Sequence, residues 1–183
     1  MTYMYDKFYA AGEWKKPPSN FEDFNPSDDS LWASVADASR SDVQSAIASA
    51  HAAFQEWSRL PFTTRAEFML KISAEIERRK DDLVSAVQGE GGGWFGKGMY
   101  EAHALQEIFR AAAGAAYGSI GEMLPSASGK ISMAVRRPMG VVSIISPWNF
   151  PSLLSARQFT FPLLAGNTII LKPSEETPYC AGL

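Results

Sequence analysis

Residues 138–178, PMGVVSIISPWNFPSLLSARQFTFPLLAGNTIILKPSEETP, are the stretch around which the chain is organised. Residues 141–146 are a short, mostly β-branched apolar run, the pattern of a strand buried on both faces of a parallel sheet, and Pro147 ends it. From Ser152 onward Leu153, Leu154, Phe159, Leu163 and Leu164 keep a helical spacing, and Gly166-Asn167 supplies residues that tolerate a left-handed helix exit. A second buried strand is predicted over 168–171. Strand, helix and strand within about thirty residues make one βαβ unit, right-handed in nearly all cases and typical of doubly wound α/β sheets.

Ligands of open α/β sheets bind beyond the carboxyl ends of the strands. There the chain places Ser146-Pro147-Trp148-Asn149 after the first strand and Lys172-Pro173-Ser174-Glu175 after the second. These residues resemble the aldehyde dehydrogenase superfamily: ISPWNFP, AGN and LKPSEETP stand with its wording and spacing, and weaker similarity reaches back to GEW near the start. The wording near Arg157 is similar to that of aryl-aldehyde members, the benzaldehyde and vanillin dehydrogenases.

The resemblance implies an α/β fold, the N-terminal part of a doubly wound, Rossmann-like cofactor domain with an oligomerisation strand segment. Its expected division is 1–125 for the N-terminal helical part, 126–137 for the oligomerisation or bridging strand, and 138–183 for the first βαβ unit. It implies NAD(P)-dependent oxidation of an aldehyde, aromatic substrates included, by an enzyme that pairs as a homodimer or homotetramer. In that family a cysteine thiolate adds to the aldehyde and a tetrahedral alkoxide passes hydride to the nicotinamide. The asparagine matching Asn149 aims its amide N–H at the alkoxide oxygen. An amide suits this task because it donates without titrating; an asparagine satisfying a turn backbone is the competing reading. The lysine and glutamate matching Lys172 and Glu175 contact the adenosine ribose, with Ser174 between them and Ile145, Ser146, Trp148 and Asn149 lining the same cleft. A carboxylate facing the 2′-hydroxyl repels a 2′-phosphate, so NAD is favoured over NADP. A polar strand exit with charge near a helix start is the plainer reading of Lys172 to Glu175. Gln158 stands where many members carry lysine, which puts a proton-relay role at that position in doubt.

The rest of the chain sets limits. With 183 residues, 46% hydrophobic content and a net charge of −3, it has the composition of a globular chain able to build one sizeable core. That charge balance gives no sign of a nucleic-acid partner. The N-terminal MTYMYDKF lacks a basic, apolar signal pattern, and no run approaches the roughly 18 apolar residues of a membrane span. Cytoplasmic residence is the expectation. Cys180 is the one cysteine, so no internal disulfide forms.

In chain order, 7–14 reads as a hairpin broken at Gly12, and 25–29 as a turn before a strand over 31–36. Ser41 with Gln44 offers a capping box for a helix whose Val43, Ile47, Ala50, Phe54 and Trp57 share one face. Thr64 with Glu67 offers a second box, opening one long helix with Met69, Ile72, Ile76, Leu83 and Val87 inward; Arg78, Arg79 and Lys80 form its solvated face. The literal G-x-G-x-x-G of residues 91–96 follows a helix rather than a strand and so reads as an interhelical loop, not a dinucleotide site. Residues 101–117 resume an alanine-rich helix, 118–129 are a connection, and 130–137 are an edge strand.

Thr177-Pro178 is predicted to cap and start a last helix. A sheet of this class needs further strands, so the chain is expected to be the N-terminal part of a longer enzyme, with the nucleophilic cysteine and general-base glutamate outside it and no activity alone. A non-catalytic nucleotide-binding or oligomerisation fragment is the competing reading. Cys180 reads as a small buried residue, because neither His51 nor His103 is brought near it as a base. The histidines have no metal-ligand spacing.

Overall fold

The computed structural model describes residues 4–183. A three-stranded sheet in the order β1-β5-β4 opens the chain, with β1 (Met4–Tyr5) parallel to β5 (Leu31–Asp37) and β4 (Ser19–Phe24) antiparallel to it. The predicted hairpin is β2 (Phe8–Ala10) with β3 (Glu13–Lys15), turned by Ala11 and Gly12 at φ 58° and 81°, the double positive φ that a two-residue hairpin turn requires. Strand β4 was not legible: SNFEDF is polar enough to pass for loop, and it is a strand because β5 gives its backbone a partner.

Four helices follow: α1 (Arg40–Trp57), α2 (Phe62–Arg78), α3 (Lys80–Gly89) and α4 (Phe95–Ala115). The first cap lies two residues earlier than Ser41. Ser39 accepts from Asp42 N and the Asp42 carboxylate accepts from Ser39 N, a capping box with aspartate in the third position. Val43 and Ile47 are exposed rather than inward, while Ala50, Phe54 and Trp57, later on the same face, are half-buried. The Thr64 box does not form, because Pro61 already starts α2. The long helix expected after it is two helices, parted at Arg79 (φ −104°, ψ 16°). Arg78 is solvated and pairs with Glu75, whereas Arg79 reaches the Leu183 carbonyl.

The core lies where α2, α3, α4 and the helix over Pro151–Leu164 meet, around Met69, Leu83, Leu105, Phe109, Ala112 and Ala156. Alanine on α4 and Gly98 allow this approach; a Cβ at Gly98 would stand 2.9 Å from Val84 Cα. Residues 91–93 join α3 to α4, as the rejection of the glycine motif required, but α4 begins at Phe95 rather than at 101. The expected connection over 118–129 contains a strand, β6 (Gly121–Leu124), antiparallel to β7 (Ser132–Val135) in a ribbon with largely exposed side chains.

The βαβ unit is present: β8 (Val141–Ile145), α5 (Pro151–Leu164) and parallel β9 (Thr168–Lys172), with Gly166 at φ 102° making the helix exit. Asn167 does more than turn the chain. Its buried amide oxygen accepts from Met139 N and Gly140 N and its nitrogen donates to Pro162 O, tying the start of β8 to the end of α5. The expectation that β8 is buried on both faces is corrected: Ile144 is buried, while Ser143 and Ile145 are exposed. Among the described residues β8 and β9 have only each other as strand partners. The last element is α6 (Pro178–Gly182).

Candidate functional site

Register places the two quoted loops side by side. Ile145 pairs with Lys172, and Ser146 N donates to Lys172 O at 3.1 Å, so both strands end together and both loops leave from one edge. Thr177 Oγ1, 3.4 Å from the Trp148 carbonyl, joins the loops again.

Of the seven residues singled out in the sequence, five face outward. Ile145 is 74% and Trp148 61% exposed, large for apolar side chains at strand ends. Asn149 is exposed, and no hydrogen bond to its amide is made by the described residues. Lys172 Nζ donates to Glu175 Oε2 at 2.9 Å, both exposed. The Glu175 carboxyl is held below the usual carboxylate range, first by its own backbone amide and then by Lys172. Ser146 and Ser174 turn inward. The Ser146 and Ser155 hydroxyls share a 2.6 Å hydrogen bond, and Ser174 Oγ accepts from Glu176 N, so these serines shape their loops from within.

Two buried carboxylates that the sequence reading missed hold the helices after these loops. Neither α5 nor α6 has a side-chain cap of its own. The predicted Thr177 cap is absent, and Glu90, 3% exposed at the end of α3, accepts from Tyr179 N and Cys180 N at 2.6 Å each. Glu101, 1% exposed on α4, accepts from Leu153 N in the first turn of α5 at 3.2 Å. Lys97 Nζ lies 3.2 Å from its other oxygen, outside hydrogen-bond geometry, and 5.0 Å over the Phe150 ring. The legible signal was positional: each is an acid where the helix pattern calls for an apolar residue.

Burial pushes the Glu90 carboxyl up to about 8, against the backbone amides that favour its charge, with Asp23 and the Cys180 thiol as titratable neighbours and Glu176 acting on Asp23. A carboxyl raised on folding binds its proton more tightly in the native state, so its stabilisation is complete below about 4.5 and is lost as pH rises through about 8. Stability is expected to fall over that window by up to about 1.4 kcal/mol per pH unit. Melting curves should show the fall, and Glu90→Gln should flatten it.

Cys180 is buried, and burial beside Glu90 and Glu101 pushes its thiol above the usual range, the opposite of what an attacking thiolate needs. An apolar cavity of about 220 Å³ is lined by Ile72, Leu83, Phe109, Phe159 and Cys180 among others; none of the seven site residues lines it. Among the described residues no cluster of three metal-ligating side chains occurs and no helix is long and apolar enough to cross a membrane.

The sequence pattern of the aldehyde dehydrogenase family matches residues 14–183. The chain belongs to that family. It is 32% identical to mitochondrial succinate-semialdehyde dehydrogenase of Rattus norvegicus over 94% of its length, and 37% identical to vanillin dehydrogenase of a Pseudomonas strain over 87%. In each case it spans 33% of the relative, so the chain corresponds to about a third of those aldehyde dehydrogenases. The crystal structure of an NAD-dependent benzaldehyde dehydrogenase from Corynebacterium glutamicum superposes with a TM-score of 0.91 at 31% identity, covering 96% of this chain and 39% of that one. The fold is accordingly the N-terminal part of the aldehyde dehydrogenase fold, and its relatives are oxidoreductases.

Proposed function

We propose that the intact enzyme oxidises an aldehyde to the carboxylic acid with NAD, and that Asn149 donates its amide N–H to the aldehyde oxygen as charge develops there. The observation that carries this reading is the exposed Asn149 amide, left without a partner by the described residues at the shared end of β8 and β9. A turn asparagine spends its side chain on backbone; this one is kept available, as a preorganised donor must be. The nucleophile and general base lie outside these residues, in keeping with the burial of Cys180 and with the third of its relatives that the chain spans.

The strand-end residues fit a dinucleotide. Ile145 and Trp148 offer exposed apolar surface to a ring, and the Lys172–Glu175 pair offers a donor and an acceptor to a vicinal diol. Bound there, NAD supplies the hydride acceptor, with backbone from Ile145 to Asn149 as the wall and Ser146 and Ser174 holding the loops behind it. NAD is preferred over NADP because the Glu175 carboxylate repels a 2′-phosphate, an effect Lys172 partly offsets.

The substrate end carries Phe150, Leu154 and Arg157 at helical spacing on α5, with Tyr100 edge-on to Phe150 at 6.2 Å. Arg157 is exposed and has no ion-pair partner among the described residues. An aromatic aldehyde suits the rings, and an acidic group at its far end suits the arginine. The 126–137 segment, within the exposed ribbon, is read as the part that pairs with a second copy in a homodimer or homotetramer, beside an N-terminal helical part over 1–125 and the first βαβ unit over 138–183. Cytoplasmic residence accompanies this reading.

The test is NAD-dependent oxidation of benzaldehyde, vanillin and succinate semialdehyde by the intact enzyme, with NADP in parallel. Turnover of at least one aldehyde with NAD the better cofactor is expected, and Glu175→Gln should narrow the NAD preference by about tenfold. No turnover of any of the three, or a strong NADP preference in the unsubstituted enzyme, contradicts it.

A further inference from the structure

We infer that Glu101 is a positioning residue for Asn149, acting through the first turn of α5. The inference rests on the reading of Asn149 as the oxyanion donor and adds the side chain that aims it. Asn149 is separated from the α5 turn only by Phe150, and Phe150, at φ −141° and ψ 69°, makes no side-chain cap that would fix the entry angle of the chain. The fixing comes from α4. Glu101 takes the Leu153 amide, Lys97 sits between that carboxylate and the face of the Phe150 ring, and Tyr100 holds the ring edge-on. Three contacts from one stretch of α4, residues 97–101, thus fix the residues immediately after Asn149 on both the backbone and the ring.

Burying a carboxylate is unfavourable unless it is paired or hydrogen-bonded. A capping serine or aspartate in place of Phe150 would serve the helix at less cost, since local caps are available to any sequence. Glu101 costs more desolvation and in return ties α5 to α4 rather than only to itself. The first turn therefore cannot rotate without breaking a buried hydrogen bond. A change of about 1 Å in a reacting group can lower a rate by about 10², so rigidity here is worth more to the chemistry than to the fold.

The experiment is a double-substitution cycle in the intact enzyme, reading kcat, KM for NAD and melting temperature. Glu101→Ala should lower kcat by about 10- to 10²-fold while leaving KM for NAD within about twofold. In an Asn149→Ala background the same substitution should cost almost nothing more, because a donor that is absent cannot be misaimed. Glu101→Gln keeps an oxygen for Leu153 N and should recover most of the loss. If Glu101→Ala does not fold, the cycle is read with Glu101→Gln, whose smaller loss should likewise vanish beside Asn149→Ala. A loss in kcat of the same size in both backgrounds, or no loss in a folded variant, overturns the inference while leaving Asn149 its role. An Asn149→Ala enzyme with full kcat overturns both.

Discussion

Asn149→Ala is expected to lower kcat of the intact enzyme by about 10² to 10³, which is about 2.7 to 4 kcal/mol, the size found when one oxyanion donor is removed. The amide gains most when the aldehyde oxygen becomes an anion, so its loss acts on the transition state more than on binding. Affinity for NAD should change little, since the proposed ribose contacts are made by Lys172 and Glu175. Melting temperature should also hold, because the exposed Asn149 side chain has no hydrogen bond among the described residues to lose. A turn residue would give the reverse pattern, a loss of roughly 1 kcal/mol in stability with kcat per folded molecule intact.

The second large effect is on stability. Arg65 on α2 is 2% exposed and has no carboxylate partner among the described residues. Its guanidinium instead collects carbonyls from the end of α5 and from the end of α1 and the turn that follows it: Nε donates to Leu164 O at 2.7 Å, and Nη1 donates to Leu60 O and to Trp57 O. The last carbonyls of a helix carry partial negative charge, so one buried cation satisfies both ends. Trp57 Nε1 adds a bond to Leu163 O at 2.9 Å. Arg65→Leu keeps the apolar bulk but strands these carbonyls in the core, and should cost about 3 to 5 kcal/mol in unfolding free energy. Arg65→Lys keeps the charge without the fork and should fall between. Denaturant unfolding measures both; a loss below about 1 kcal/mol for Arg65→Leu would show that water reaches those helix ends.

The parts of the chain that declare themselves in sequence are those where one local pattern decides the structure. The run of residues 141–146, the helix from Ser152 and the exit at Gly166 form a βαβ unit from their own spacing, and the loops at its strand ends carried the family's wording. Where a distant partner decides, the sequence misled. SNFEDF is a strand only because β5 lies beside it, and the Gly118–Gly129 region contains β6 only because β7 returns to it. The Thr177 cap failed for the same reason: it has the residue type of a cap, yet the amides of α6 belong to Glu90, 89 residues away from Tyr179 in sequence. Arg65, four residues before Met69, and Glu101, four before Leu105, occupy apolar-stripe positions. A charge in such a place marks a buried polar link, though not its partner.

Replacing Asn149 by aspartate tests the account most directly, because it separates the two things an asparagine can do. Aspartate keeps the shape and every acceptor bond that a turn needs, but it removes the N–H and sets a negative charge against the developing oxyanion. The measurement is kcat of Asn149→Asp beside Asn149→Ala, at saturating NAD and equal folded concentration. An aspartate enzyme as slow as the alanine one, or slower, is the predicted result; an aspartate enzyme close to the unsubstituted rate would contradict the role of Asn149 as the donor.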